Sequence, residues 1–240
     1  MKNSSTGTVY LIPAPLTDEG IAGISPEIKE AIAQCQVFFT ENEKDARRYF
    51  KKLWKEMVID DYEWHAIHGR EEEALPSFRQ RLKEGKIIGI VSDAGCPGVA
   101  DPGQLLIAEA QEMGVTIKPL VGPSSILLAL MASGMNGQQF HFHGYLPIEA
   151  QEKIKVIRQI ETRSARENCT ELFIETPYRN NQMLDTLLQH CNPETKIGVA
   201  VSLTDKEEWV RTKKVKDWKK EKPDLHKKPA IFLLYAYGAL

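Results

Sequence analysis

The sequence predicts an α/β protein built from two α/β domains. Short apolar runs typical of strands alternate with segments in which apolar residues recur at the helical period. The 240 residues are 42% hydrophobic and 27% charged, which suffices for one large core or two smaller ones. Several apolar runs end in Gly, Pro and Asp, the residues that make loops at strand ends. Strands that alternate with helices favour right-handed crossovers and a mostly parallel sheet.

The first half predicts four strands and five helices. The helix at 25–35 has Ser25 at its N-cap and Pro26 in its first turn. The helix at 123–134, PSSILLALMASG, is apolar on every side, so we expect it to be buried. The predicted strands are 8–15, 37–41, 86–93 and 115–122, and the predicted helices are 25–35, 45–57, 74–85, 103–114 and 123–134.

A connector is predicted at 138–150, because Gly144 and Pro147 interrupt the pattern there. We therefore expect an N-terminal α/β domain with a mostly parallel sheet at 1–143 and a C-terminal α/β domain with a mixed sheet at 144–240. The second domain is predicted to contain strands at 170–179, 196–203 and 229–237, helices at 152–165 and 181–191, and a polar hairpin at 204–215.

Composition limits the classes of function. A net charge of -2 excludes a uniformly basic nucleic-acid binder, although a local basic face stays possible. The cysteines are far apart and the histidines have no metal-ligand spacing, so we expect neither a disulfide framework nor a metal site. The short apolar run near the N-terminus is broken by Pro13, and no window approaches the ~20 apolar residues of a membrane helix. We therefore expect a cytoplasmic protein that does not cross a membrane.

The most informative segment is IVSDAGCPGVADPG at 90–103, where an apolar strand runs into a loop rich in Gly, Pro and Asp. Such a loop lets the backbone approach a ligand closely. Ligands of open α/β sheets bind beyond the carboxyl ends of the strands, and polar or Gly/Pro-rich segments follow several predicted strands. Neither a GxGxxG motif nor a P-loop is present. The segments are PAPL (13–16), TENEK (40–44), SDAGCPGVADPG (92–103), VGPSS (121–125) and IETPYR (174–179).

In this order, SDAGCPGVADPG, VGPSS, GYLP and IETPYR resemble the tetrapyrrole methylase superfamily of S-adenosylmethionine (SAM) methyltransferases. The pattern is most similar to the branch that methylates the ribose 2'-hydroxyl of a cytidine in 16S rRNA. The corrin branch carries a glycine-rich first loop where this chain has PAPLTD, which favours the rRNA branch. The resemblance spans almost the whole chain.

The resemblance implies a two-domain fold with SAM in the cleft between the halves, usually in a homodimer, with rRNA or the small ribosomal subunit as partner. It needs no metal. Carried over position by position, the implied SAM contacts are Leu16, Asp93, Cys96, Ser124, Ser125, Ile174, Leu203 and Ala230.

The residue types suit these roles. The Asp93 carboxylate can accept hydrogen bonds from a ribose hydroxyl or an ammonium group, although an Asp at this place is also a common turn former. Ser124 and Ser125 open a helix whose unpaired N–H groups can bind a carboxylate. A plain helix N-cap explains the same two serines and is compatible with ligand binding.

On the acceptor side, Glu41 follows a strand and matches the acidic residue of the rRNA branch, which makes it the first candidate for binding or deprotonating the acceptor. A solvated loop carboxylate is the alternative. Asp101 and Glu175 rank below it, since capping of the next helix is an alternative role for Asp101. Arg179 is predicted to bind a phosphate or carboxylate, or to form a surface ion pair.

Two segments depart from the rRNA branch. TENEK replaces AEDTR, and AVSLTD replaces ARELTK, with Val201 and Ser202 in place of Arg and Glu. The charged run 206–228 offers a possible face for RNA phosphates, although a solvated hairpin is the more usual explanation. A methyltransferase for a corrin, porphyrin or other small molecule, and a non-catalytic SAM-binding protein, stay open as alternatives.

Overall fold

A computed structural model describes residues 7–238 and confirms the α/β class, with two five-stranded sheets in that part of the chain. Its contacts divide the chain into Met1–Ser124 and Ser125–Leu240. In the first unit the strands are β1 (Thr8–Ile12), β2 (Val37–Thr40), β3 (Glu63–Ala66), β4 (Ile87–Val91) and β5 (Thr116–Pro119), and the helices are α1 (Pro26–Gln34), α2 (Glu43–Leu53), α3 (Glu71–Lys83) and α4 (Gln104–Glu112). Short 3₁₀ turns occupy Glu19–Gly23 and Ile59–Asp61.

The first sheet has the order β3-β2-β4-β1-β5, and every strand pair in it is parallel. Because β4 lies between β1 and β2, the loops that follow these three strands leave the same edge of the sheet side by side. Apolar side chains pack on both faces of the sheet, with Phe38 in the cluster on one face and Phe39 in the cluster on the other. This order positions the candidate site.

The local signals that start two helices act as helix caps. Ser25 caps α1, as predicted, by accepting a hydrogen bond from the Glu27 backbone N–H. Asn42 caps α2 by accepting from the backbone N–H groups of Lys44 and Asp45. The Asn in TENEK therefore has a structural reason to be there.

The second unit contains helices α5 (Ser125–Ser133), α6 (Ala150–Glu167), α7 (Asn180–His190) and α8 (Val215–Trp218), and strands β6 (Phe140–Tyr145), β7 (Thr170–Ile174), β8 (Lys196–Val201), β9 (Trp209–Lys214) and β10 (Ala230–Tyr235). Its sheet has the order β6-β7-β10-β8-β9. β6 pairs parallel with β7, and the other pairs are antiparallel. The polar hairpin predicted at 204–215 contains β9, which pairs with β8.

The division between the units differs from the boundary expected at 143/144. Residues 140–145 form β6, which pairs with β7 in the second sheet, and α5 packs on β8, β9 and β10. The segment predicted as a connector therefore contains a strand of the second sheet. The sequence pattern also missed β3, a short strand with the residues Glu-Trp-His-Ala.

The apolar helix α5 is only partly buried. Ile126, Ala129 and Leu130 are buried, whereas Leu127 is 51% and Met131 79% exposed. The expectation that this helix is covered on every side is therefore wrong for the isolated chain. Separately, no helix within residues 7–238 is long and apolar enough to cross a membrane.

Candidate active site

The loops after β1 and β4 are joined by backbone hydrogen bonds. The Ala14 N–H donates to the Gly95 carbonyl at 2.8 Å, and the Gly95 N–H donates to the Ala14 carbonyl at 3.0 Å. These bonds hold PAPL against SDAGCPG at the carboxyl edge of the first sheet. Two segments that sequence analysis connected only by motif order are therefore direct neighbours.

Gly95 lies where these loops approach a third one. Its φ is +75°, and a Cβ built on it would lie 3.5 Å from Leu16 Cδ2 and 3.7 Å from the Pro123 carbonyl oxygen. A side chain in this conformation is strained, which explains a glycine here. The Cys96 thiol donates to the same Pro123 carbonyl at 3.5 Å. The structure thus brings the predicted residues Leu16 and Cys96 together with the VGPSS segment.

Hydrogen bonds of Glu41 and Asp93 join the loops that follow β2 and β4. The Asp93 backbone N–H donates to Glu41 Oε2 at 3.0 Å, and the Asn42 backbone N–H donates to Asp93 Oδ1 at 3.1 Å. His68 Nδ1 lies 3.4 Å from Glu41 Oε1. Glu41 is therefore not the loose loop carboxylate that the sequence left as an alternative, because it forms part of the frame of the site.

Asp101 lies in the same loop as Asp93 and has different surroundings. Burial, and then the charges of Glu41 and Asp93, raise its pKa to about 7. Burial and Glu41 also raise the pKa of Asp93. Within residues 7–238, no hydrogen bond or ion pair to the Asp101 carboxylate balances these charges.

The sequence allowed Asp101 to cap the following helix, but the structure shows that it does not. The N-cap of α4 is Gly103, with no side-chain cap. The Gly103 backbone N–H donates instead to Glu71 at the start of α3. Helix capping therefore does not explain the aspartate at position 101.

A recess of about 310 Å³ opens between the first loop and α2. Leu16 and Asp93 line it together with Arg48, Tyr49 and Lys52 of α2. Lys52 pairs with Asp18 at 2.7 Å, and Arg48 pairs with Asp45 at 2.9 Å. Sequence reasoning missed these α2 residues, since they belong to an ordinary amphipathic helix with no motif.

The predicted residues of the second unit share one end of its sheet. Ile174 ends β7 and is paired with Ile231, while Ala230 begins β10 opposite Val201. Leu203 follows β8 and is 8% exposed. These three positions form a second group within that unit. Ser124 ends the first unit, and Ser125 begins α5.

Arg179, predicted to bind an anion or form an ion pair, pairs with a carboxylate of its own chain. Its guanidinium donates twice to Glu175 Oε1, at 3.0 Å and 2.7 Å, and Lys153 Nζ donates to Glu175 Oε2 at 3.2 Å. Burial alone would raise the pKa of Glu175, but these bonds and the Thr176 N–H lower it. Glu175 is therefore a paired, buried carboxylate.

Three possible metal ligands come together in the second unit, although their spacing gave no sign of it. Ligand atoms of His141, Glu167 and Cys169 lie within 4.8 Å of one another. The Cys169 thiol donates to Glu171, and burial followed by this bond raises its pKa to about 11. The thiol is thus engaged with Glu171, and we assign no metal to this set.

The fold of the chain is similar to that of a solved diphthine synthase, with a TM-score of 0.69 at 15% identity over 95% of this chain and 90% of that one. The family described as Tetrapyrrole (Corrin/Porphyrin) Methylases matches residues 8–218, and the chain belongs to this family.

Curated relatives that match the chain carry the name ribosomal RNA small subunit methyltransferase I. The protein of Micromonospora olivasterospora is 32% identical over 184 residues, which are 77% of this chain and 56% of the relative. That of Synechocystis sp. is 28% identical over 198 residues, which are 82% of this chain and 67% of the relative. The match therefore spans between half and two thirds of their length. These names agree with the resemblance to the rRNA branch.

Proposed function

We propose that the chain is a SAM-dependent methyltransferase that methylates the ribose 2'-hydroxyl of a cytidine in 16S rRNA. The observation that supports this most is the 32% identity to a ribosomal RNA small subunit methyltransferase I over 77% of the chain. The clustering of PAPL, TENEK and SDAGCPG at one edge of the first sheet agrees with it.

The residues at this edge fit SAM. Glycine at 95 keeps the space beside Leu16 open, and Leu16 offers an apolar contact. Asp93 offers a carboxylate to the recess, with one oxygen already held by Asn42. We propose Leu16, Asp93, Cys96, Ser124 and Ser125 as cofactor contacts, together with Ile174, Leu203 and Ala230 of the second unit. SAM, when bound, supplies the methyl group.

The remaining chemistry concerns the acceptor. The ribose oxygen forms a bond to the methyl carbon, the carbon–sulfur bond breaks with its electron pair going to sulfur, and the hydroxyl proton goes to a base. This step needs alignment and a proton acceptor, and no metal. Carboxylates of the first sheet edge are the proposed groups for the proton.

Glu41 and Asp101 differ in their suitability as the proton acceptor. Glu41, the first candidate from the sequence, already accepts the Asp93 N–H and lies against His68. Asp101 has a pKa of about 7, which suits a base that works near neutral pH. We therefore propose Asp101 as the base and Glu41 as a positioning residue that holds the Asp93 loop.

A homodimer is part of the proposal, as is a cytoplasmic location. Leu127 and Met131 lie one turn apart on α5 and are the exposed part of an apolar helix. A second copy of the chain would remove this apolar surface from water.

The test is methyl transfer with purified protein and labelled SAM. Small ribosomal subunits from a strain that lacks this protein are the acceptor, and subunits from the parent strain are the control. We expect label in the rRNA ribose of the first and none in the second. Label in neither, or transfer to a corrin or porphyrin instead, would overturn the rRNA assignment; transfer to no acceptor despite SAM binding would favour a non-catalytic protein.

A further inference from the structure

One side of α6 carries an open recess of about 660 Å³. Of the described residues that line it, four are basic and one, Glu152, is acidic. The polar side chains recur every three or four residues and so lie along one face of the helix. We call this the α6 face; its basic and amide residues are Gln151, Lys155, Arg158, Gln159, Arg163 and Arg166.

The basic residues of the α6 face differ in their partners. Arg163 is bound to the buried Glu171, and Arg166 pairs with Glu167. The exposed side chains of Lys155 and Arg158 form no ion pair or hydrogen bond with another residue between 7 and 238. These two positive charges are available to a ligand.

In the charged run 206–228, which the sequence suggested as a basic face, five lysines form ion pairs. Lys213 pairs with Glu221, and both Lys214 and Lys216 pair with Glu194. Lys220 and Lys222 pair with Asp217 and Asp185. These carboxylates lower the net positive charge of the run, although Arg211, Lys219, Lys227 and Lys228 form no ion pair within residues 7–238.

The chemistry of the α6 face fits a phosphodiester backbone. Unpaired Lys and Arg bind phosphate oxygens, and the exposed amides of Gln151 and Gln159 can donate hydrogen bonds to phosphates and sugars. A rise of about 1.5 Å per residue places the Lys155 and Arg166 positions roughly 16 Å apart, which is enough for several nucleotides.

A second copy of the chain fits less well. In a two-fold interface the same patch meets itself, so Lys155 and Arg158 would face their own equivalents. Like charges in contact oppose association. The exposed apolar side of α5 offers a better surface for self-association.

We propose that the α6 face is a docking surface for the sugar–phosphate backbone of the rRNA substrate. The inference rests on the proposed function, since it assigns the partner of that reaction a binding surface. Phosphate contacts fix position and carry no sequence information, so the α6 face positions the RNA and does not select the nucleotide.

The test compares Lys155→Gln/Arg158→Gln with Lys55→Gln/Lys83→Gln, a control that removes two exposed charges elsewhere. Gln is a good helix former, so α6 should fold normally. Binding of small ribosomal subunits and of free 16S rRNA is measured over a range of salt concentrations, with SAM affinity and methyl transfer measured in parallel.

We expect the α6 variant to bind both RNAs roughly tenfold more weakly, and its plot of log affinity against log salt to be shallower by about 1.5, because two phosphate contacts are lost. KM for the subunit should rise while kcat at saturation and SAM affinity stay unchanged. The control should behave as the wild type.

Equal RNA affinity and equal salt slope in both variants would overturn the inference. So would a second result, weaker binding to subunits with unchanged binding to free rRNA, or a third, a change of oligomeric mass in the α6 variant. The second would indicate a ribosomal protein as partner, and the third a second copy. Wild-type protein that binds RNA through Lys155 and Arg158 without methylating it would instead count against the proposed function alone.

Discussion

Acidic residues lie in or beside a strand end in both sheets, and their surroundings are opposite. In the second unit, Glu171 accepts two hydrogen bonds from Arg163 and lies 2.6 Å from His143, and Glu175 is bound by Arg179 and Lys153. In the first unit, Asp101 is surrounded by the like charges of Glu41 and Asp93.

The pKa values follow from these surroundings. Burial alone would raise the pKa of Glu171, but His143 and Arg163 outweigh burial and lower it to about 2. Burial and two carboxylates raise the pKa of Asp101 to about 7. Buried carboxylates with cationic partners hold a fold together, whereas carboxylates crowded without partners are poised to exchange a proton.

The strongest test of this comparison is Asp101→Asn. Loss of the proton acceptor should lower kcat by about 10²–10⁴, with SAM affinity unchanged. The melting temperature should not fall, because the substitution removes a crowded charge. Methyl transfer to small subunits, calorimetry with SAM and thermal unfolding measure the three quantities. Turnover within a few-fold of the wild type would exclude Asp101 as the base.

The opposite outcome is expected for Glu171→Gln. The change leaves Arg163 without its buried partner and should lower the free energy of unfolding by about 2–4 kcal/mol, as measured by denaturant titration. Glu167→Gln, at an exposed pair, should change it by less than about 0.5 kcal/mol. Equal losses of unfolding free energy in the two variants would mean that burial of the Glu171–Arg163 pair adds no stability.

The same variant has a pH signature. Since the folded pKa of Glu171 is about 2 and lies below its ordinary value of 4.5, its stabilisation is complete above about pH 5 and is lost as the pH falls toward 2. Wild-type protein should therefore lose stability in this window more steeply than Glu171→Gln.

The smallest expected effect is a shift of the pH profile by Glu41→Gln. Turnover of the wild type should rise with pH through about 7 as Asp101 loses its proton. Removing the Glu41 charge lowers the pKa of Asp101, so the rise of turnover with pH should move to lower pH. Glu43→Gln, which breaks an exposed pair with Arg47, is the control. An unchanged pH profile in Glu41→Gln would show that Glu41 does not act on the base.

Several parts of the site could be predicted from the sequence, because their signals are local. Gly, Pro and Asp at strand ends define loops whatever the strands pair with, and the motif order predicts that Leu16, Asp93 and Cys96 contact one ligand. The α/β class follows from periodicity alone. The parallel sheet then brings these loops to one edge, because β4 lies between β1 and β2.

The remaining features depend on contacts between distant residues. β3 and β6 are short strands with half-exposed side chains, so they have little periodicity of their own and are defined by pairing with β2 and β7. Glu171 and Glu175 find partners on α6 in Arg163 and Lys153, and Lys214 and Lys222 pair with Glu194 and Asp185 from outside the run 206–228. Local composition determined the loops and strands of this protein, whereas the tertiary structure alone decided which charges are neutralised and which are left for chemistry.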